Sequence, residues 1–374
     1  MESRREQGLG ILARLGANPA TSFYEDGVAS VVETILSELG LTFQKDDYGN
    51  IIAHIPGQSP PPESGAGRNS PIAFVAHLDH PGFEVIAREG DLLVGKALGG
   101  VPATSFNSGT PLQVLLDDGQ RLPATTAGPH GNTEDRQVLI QLAQPQPLPL
   151  PRPAVFDLVD FELDGEFIRM RALDDLAGCS SILAALAVLS RQSPPGDVYG
   201  VFTRAEEVGL VGARLLAEAK TLPLETLVVS LESSRTLPGA ELGGGPVIRV
   251  GDAGFTFNAD AEAALVKARE TLQARPEGFR VQRQLMSGGA CEASAFALYG
   301  YRTTGIAFPL GNYHNGAPEG RIEAEFIHRD DFTGGVELIV EAAHRVADRE
   351  DTAFRRRLQE IPQEFRQRLR RAIG

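Results

Sequence analysis

Cysteine is scarce in this sequence, with Cys179 and Cys291 alone among 374 residues. Two thiols cannot frame a disulfide-stapled fold or a cysteine-rich zinc knuckle, and they suit a reducing cytoplasm. Long apolar runs are also missing: none approaches the ~18 consecutive residues of a membrane span. The opening Met1-Glu2-Ser3-Arg4-Arg5-Glu6-Gln7 carries charge with no apolar stretch behind it, so a secretory signal is not expected. Positive charge is short as well. Lys plus Arg number 35 against 49 Asp plus Glu, a net charge of −14, with a pI near 5.0. Such a chain lacks the electrostatic footprint for gripping phosphate backbones, which excludes nucleic acid as a partner. The exception is the arginine-rich end from Phe354, with Arg355, Arg356, Arg357, Arg366, Arg368, Arg370 and Arg371. It reads as the solvated face of a terminal helix.

Hydrophobic residues (42%) and charged residues (22%) are in globular proportion, so the chain can build a sizeable core, and its length fits two domains. Residues 27–41 carry Val28, Val31, Val32, Ile35, Leu36 and Leu39 at helical spacing, and 42–54 reads as strand, turn, strand. Residues 57–71, rich in Pro, Ser and Gly, read as a surface loop. Ile72-Ala73-Phe74-Val75-Ala76 is a continuous apolar run, the pattern of a strand buried on both faces. Beyond it the texture changes. From 82 to about 165, short alternating pieces separated by Gly- and Asp-rich turns predict a small all-β module. The alternating prolines 145, 147, 149, 151 and 153 suggest an extended strap leading out of it, unable to pair regularly. Helix and buried strand then alternate: helices over 177–189, 210–219, 261–274 and 330–346, strands over 198–203, 227–231 and 302–308. The expected fold class is therefore α/β with a mixed, mostly parallel sheet, split by an inserted β domain. The expected boundaries are 1–81 and 167–374 for the α/β domain and 82–166 for the insert.

Five charged pieces follow predicted buried strands or the loops beyond them: His77-Leu78-Asp79, Asp174-Asp175, Glu206-Glu207, Glu232 and His314. In open α/β sheets such strand ends share one crevice. Imidazoles and carboxylates suit zinc and similar ions, and two cations a few ångströms apart require a bridging carboxylate. Two histidines and three carboxylates make that count: His77, His314, Asp174, Glu207 and Glu232. Glu206, next to a ligand, is placed to move the proton of an attacking water. Asp79, two residues after His77, is placed to accept a hydrogen bond from that ring's other nitrogen. Each piece also has an ordinary reading, since an Asp pair caps helices and a lone histidine fills turns. Their conjunction favours the metal site. Cys179 and Cys291, with no histidine near in sequence, are not expected to be nucleophiles. His80 could line the pocket.

The motifs Ala76-His77-Leu78-Asp79, Ala172-Leu173-Asp174-Asp175, Glu206-Glu207-Val208-Gly209-Leu210 and Tyr313-His314 resemble the co-catalytic two-zinc aminopeptidases, most closely the glutamyl/deblocking (tetrahedral) aminopeptidase family. The resemblance runs from about residue 25 to 345. It implies a three-layer zinc-peptidase-like domain with a barrel-like insert, and a metal-bound hydroxide attacking small peptides from their N-terminus. It makes Asp174 the bridge and Glu206 the base, with His77 and Glu232 on one ion and Glu207 and His314 on the other. The ions implied are two divalent metals, zinc first, with cobalt or manganese as alternatives. Homo-oligomers from dimers to dodecamers follow by the same resemblance. Three departures stand out. Leu176 replaces a basic residue, Glu232 an aspartate, and Glu292 the aspartate of a Gly-Gly-Thr-Asp-Ala-like segment in which Gly288 and Gly289 would approach substrate. The rival readings are an N-acyl amino acid deacylase or carboxypeptidase of the same clan, which would need Arg204, Arg249 or Arg302 near the metals, and an inactive scaffold.

Overall fold

Short apolar runs that end in charged turns form the centre of the computed structural model, which describes residues 2–58 and 71–371. Four of them, Val198–Thr203, Ile72–His77, Leu227–Arg235 and Arg302–Leu310, lie side by side in parallel. Strands at each edge complete an eight-stranded sheet: Thr42–Lys45 and Ile51–Ile55 on one side, Val247–Arg249 and Gln282–Gln284 on the other. Successive side chains of a strand leave on opposite faces, so each strand feeds two cores. Phe74 and Ala76 join Leu12, Leu36, Phe202, Phe308 and Phe332 in the larger one, under the helices Glu2–Gly16, Asp26–Glu38, Leu173–Gln192, Ala259–Gln273 and Arg329–Arg345. Ala73 and Val75 join Val201, Leu216 and Phe296 under the helices Val211–Glu218 and Glu292–Leu298. The result is three layers with a mostly parallel sheet between helices.

Leu173–Gln192 is long and apolar enough to cross a membrane by length and composition, but 94% of that window is buried within the protein. It is the central helix of the larger core.

The strands Gly82–Glu89, Leu92–Leu98, Gln137–Leu142, Arg121–His130, Pro111–Leu115 and Arg152–Phe156 close into a barrel around Phe83, Val114, Ile140 and Phe156. One expectation fails here. Pro153, assigned to the unpaired strap, lies in a barrel strand opposite Glu84. Pro153 has a partner on the Gly82–Glu89 side alone, since the pairing with Pro111–Leu115 begins only at Ala154, the edge-like setting in which a strand accepts proline. A third sheet went unpredicted: Glu162–Asp164, Phe167–Met170 and Glu325–His328, where the chain returns from the barrel to the three-layer domain. The arginine-rich end forms the helices Ala353–Gln359 and Gln363–Arg371, with no buried side chain. The loop expected over 57–71 lies, for residues 59–70, outside the described residues.

Candidate metal centre

All four parallel strands point their carboxyl ends at the same edge, and the register sets Thr203 beside His77. His77 is the last residue of its strand, and Glu232 sits within Leu227–Arg235. Glu206 and Glu207 follow Thr203 in a turn where Ala205 adopts a positive φ of 53°. Glu25 holds that turn from beneath, accepting from the Ala205 amide (2.9 Å) and the Arg204 side chain (2.8 Å). Asp174 precedes the regular part of the central helix, and its peptide bond to Asp175 is cis. His314 occupies a 3-10 turn at φ 53°.

These segments bring the five predicted ligands and Glu206 together. Asp174 faces both imidazoles, with Oδ1 3.5 Å from His77 Nε2 and Oδ2 3.6 Å from His314 Nε2. His314 Nε2 is also 3.4 Å from Glu207 Oε1, and His77 Nε2 is 3.9 Å from Glu206 Oε2. Two trios of donor atoms result, each within 4.8 Å: His77, Glu206 and Glu232, and Asp174, Glu207 and His314. Separations of 3.4–3.6 Å are long for hydrogen bonds. They suit neighbouring corners of a tetrahedral site, whose ligands at about 2.0–2.1 Å from an ion stand about 3.3 Å apart. Asp174 Oδ1 and Glu207 Oε1 are buried without a hydrogen-bond partner among the described residues. Buried acceptors lacking a donor are costly, and a cation beside each, one on the His77 side and one on the His314 side, resolves that cost. The residues therefore fit a pair of divalent ions.

Electrostatics point the same way. Burial pushes the Glu206 carboxyl well above its ordinary range, reinforced by Glu207 and Glu292. Burial likewise raises Glu207 to about 7, with Asp174 adding to it, and raises Glu232 well up with Asp174 and Glu206. Burial opposes the charged forms of His77 and His314, yet Glu206 and Asp174 raise the first well above its usual value, while Glu207 and Asp174 raise the second to about 9. Asp174, against its own burial, is held low by His314 and His77. So many carboxylates raised by burial and by one another mark a site whose charge calls for a cationic partner.

The supporting contacts depart from expectation at Asp79. His77 Nδ1 meets the Asp79 main-chain carbonyl at 2.9 Å, while the carboxylate stays 3.7 Å away. That carboxylate instead accepts from the Glu206 amide (2.9 Å), the Glu207 amide (3.2 Å) and Ser22 Oγ (2.6 Å). Asp79 therefore fixes the turn carrying both glutamates. Glu292 is a second correction. It is fully buried and accepts from the hydroxyls of Thr203 (3.1 Å) and Ser230 (2.9 Å), so it offers substrate no surface. His80 is buried with both ring nitrogens engaged, by the Ala20 amide and the Pro81 carbonyl. Two contributors were missed. The Gly100 carbonyl meets His314 Nδ1 at 3.1 Å, and Glu325 accepts from the amides of Leu173 (2.8 Å), Asp174 (3.1 Å) and His314 (2.8 Å).

The centre opens on a cleft of about 450 Å³ lined by Asp174, Glu206, Glu207, Glu232, Tyr313 and His314. A smaller recess of about 60 Å³ adjoins it through Glu232 and Tyr313, with Arg235, Arg249, Gly288 and Gly289 in its wall. Arg249 is buried there, its Nε and Nη1 without a hydrogen-bond partner among the described residues. Arg204 pairs with Glu25 and Arg302 with Asp260, so neither faces the centre.

The family model for M42 glutamyl aminopeptidases matches residues 152–338, half of the chain. An Acetivibrio thermocellus protein provisionally named an aminopeptidase is 25% identical over 190 residues, 49% of this chain and 53% of its own, so the chain spans about half the length of that relative. The TET1 peptidase of Pyrococcus horikoshii, described as assembling into a tetrahedron or an octahedral shell, superposes with a TM-score of 0.72 at 25% identity, covering 90% of this chain and 99% of its own. A TET aminopeptidase from a marine-sediment thaumarchaeon gives 0.75 at 19%, covering 92% and 98%. The aminopeptidase APDkam598 of Desulfurococcus kamchatkensis gives 0.74 at 23%, covering 93% and 99%. These findings bear out the resemblance drawn from the motifs.

Proposed function

We propose that this chain, which belongs to the M42 glutamyl aminopeptidase family, removes N-terminal residues from small peptides with the help of two divalent ions. The observation that carries this reading is Asp174, which turns one carboxylate oxygen to each of two imidazoles. His77 and Glu232 would hold one ion and Glu207 and His314 the other, with Asp174 shared; imidazole and carboxylate donors suit zinc, and cobalt or manganese next. When bound, the ions polarise the scissile carbonyl and acidify a water. Glu206 takes the proton of the attacking water and returns it to the leaving amine. Its place beside Glu207 on the same turn, with its Oε2 3.9 Å from His77 Nε2, suits that shuttle. The carboxylates around the cleft favour a substrate with a free, cationic α-amine. The assemblies described for structural neighbours support a homo-oligomer, and the inserted barrel is our choice for its contact face. Two free, buried cysteines fit a cytoplasmic setting.

Arg249 leaves one rival to be separated by experiment. A buried guanidinium beside the metal ligands could hold the free carboxylate of an N-acyl amino acid, as a deacylase or carboxypeptidase requires, or the acidic side chain of an N-terminal residue. Aminoacyl-nitroanilides, glutamyl and aspartyl among them, assayed beside N-acetyl amino acids separate the two. Hydrolysis of the nitroanilides, lost on chelation and restored by divalent ions, is expected. Hydrolysis of the N-acetyl substrates alone would transfer the assignment to the rival, and turnover untouched by exhaustive chelation would end the metal reading.

A further inference from the structure

We infer that Glu325 is a positioning residue that ties the segment carrying Asp174 to the segment carrying His314. The inference rests on the two-ion reading above. Glu325 opens the strand Glu325–His328, pairs in register with Met170, and is 1% exposed. That pairing puts it just upstream of Asp174 in space, although 151 residues separate them in sequence. Its Oε2 accepts from the amides of Leu173 (2.8 Å) and Asp174 (3.1 Å). Its Oε1 accepts from the amide of His314 (2.8 Å). Three main-chain donors from two distant segments thus converge on one carboxylate.

The need for such a tie is visible at His314. Its φ of 53° lies in the left-handed region, which a non-glycine residue holds only when its surroundings impose it. The amide bond to Glu325 fixes the main chain there, and the Gly100 carbonyl fixes the ring. On the other side the Leu173 and Asp174 amides stand at the start of the central helix, where no intrahelical acceptor is available. Only a side chain with two acceptor oxygens and no donor serves all three amides. Glutamine, of nearly equal shape, would turn an NH₂ group toward one of them. Glu325 therefore acts on the ions through Asp174 and His314.

The test is ion stoichiometry. Full-length wild-type, Glu325→Gln and Asp331→Asn proteins are stripped by chelation and titrated with Co²⁺, followed by visible absorbance and by calorimetry. Asp331 is the control: it is equally buried and accepts from the Gly243 (2.8 Å) and Gly245 (2.7 Å) amides, away from the centre. Wild type and Asp331→Asn should each take two ions. Glu325→Gln should weaken at least one binding step by about 10–100-fold, as loss of support behind metal ligands does. If Glu325→Gln does not fold, Glu325→Asp, with its oxygens drawn back by one methylene, replaces it and should show the same loss. Binding of two ions by the Glu325 variant at wild-type affinity overturns the inference, as does an equal loss in Asp331→Asn. Failure of the wild type itself to bind two ions overturns the two-ion reading instead.

Discussion

A single methyl group at Gly100 tests whether the barrel-side loop aligns the metal centre. Gly100 is exposed, and its carbonyl sits 3.1 Å from His314 Nδ1. A Cβ built there would lie 2.1 Å from that nitrogen and 2.4 Å from Cε1. Ordinary contact begins near 3.5 Å, so the imidazole must retreat by about 1.4 Å. His314 Nε2 would then leave its station 3.4 Å from Glu207 and 3.6 Å from Asp174. A displacement of about 1 Å at a reacting centre costs about 10²-fold in rate, near 2.7 kcal/mol, and a ligand that loses its supporting contact loses about 10–100-fold in ion affinity. Because the site is on the surface of the loop, the global core is untouched. Gly100→Ala should therefore unfold within about 0.5 kcal/mol of wild type in urea, the range of ordinary surface changes, while losing ion affinity and turnover together. Equilibrium dialysis, nitroanilide kinetics and denaturation on one preparation give all three quantities. Two ions at wild-type affinity and turnover within twofold would refute the reasoning, and a comparable loss of stability would show that the residue serves the fold instead.

Glu206→Gln should lower turnover by about 10²–10⁴-fold, the usual worth of a general base, while both ions still bind. Loss of an ion along with activity would make Glu206 a ligand beside His77 and Glu232 rather than the base. Asp79→Asn replaces an acceptor of three hydrogen bonds with an amide that carries donors, leaving at least one of Ser22 Oγ and the Glu206 and Glu207 amides unserved. It should cost about 1–3 kcal/mol in urea unfolding, and an unchanged midpoint would contradict the role given to that carboxylate. The ion-free protein should lose stability as pH rises. Burial raises Glu207 to about 7 from the usual 4.5, and the neighbouring carboxylates raise His314 against burial to about 9 from 6.5. The folded state then binds more protons than the unfolded one between about pH 4.5 and 9, so unfolding becomes easier upward through that window. Melting of chelated protein at pH 6 and 9 should give the lower midpoint at pH 9, by a margin that shrinks when ions are added; an equal or higher midpoint at pH 9 would refute it.

What the sequence disclosed follows from where its signals are local. His77, Asp174, Glu206, Glu207, Glu232 and His314 stand out because charge interrupts or ends apolar runs, and the buried parallel strands are those same runs. Gly100 and Glu325 carry no such mark. The first is needed because His314 lies 214 residues further along, and the second through a strand pairing with Met170. The outer strands Val247–Arg249 and Gln282–Gln284 have three residues each, too few to show a period. The glycines before Glu292 point toward a substrate loop, but Glu292 begins a helix that turns it inward to two hydroxyls.

Asp79 shows most clearly how a correct neighbour can be given the wrong atom. Two-residue spacing puts side chains on one side only while the chain stays extended, and the strand ends at His77. Past that point the chain bends, the Asp79 carbonyl swings under the His77 ring, and the carboxylate is released toward the adjoining strand's turn. The same residue thereby supports both the His77 imidazole and the Glu206-Glu207 pair. Its main chain alone serves the first and its side chain the second, so substitution at Asp79 should disturb the glutamates and leave the His77 contact in place.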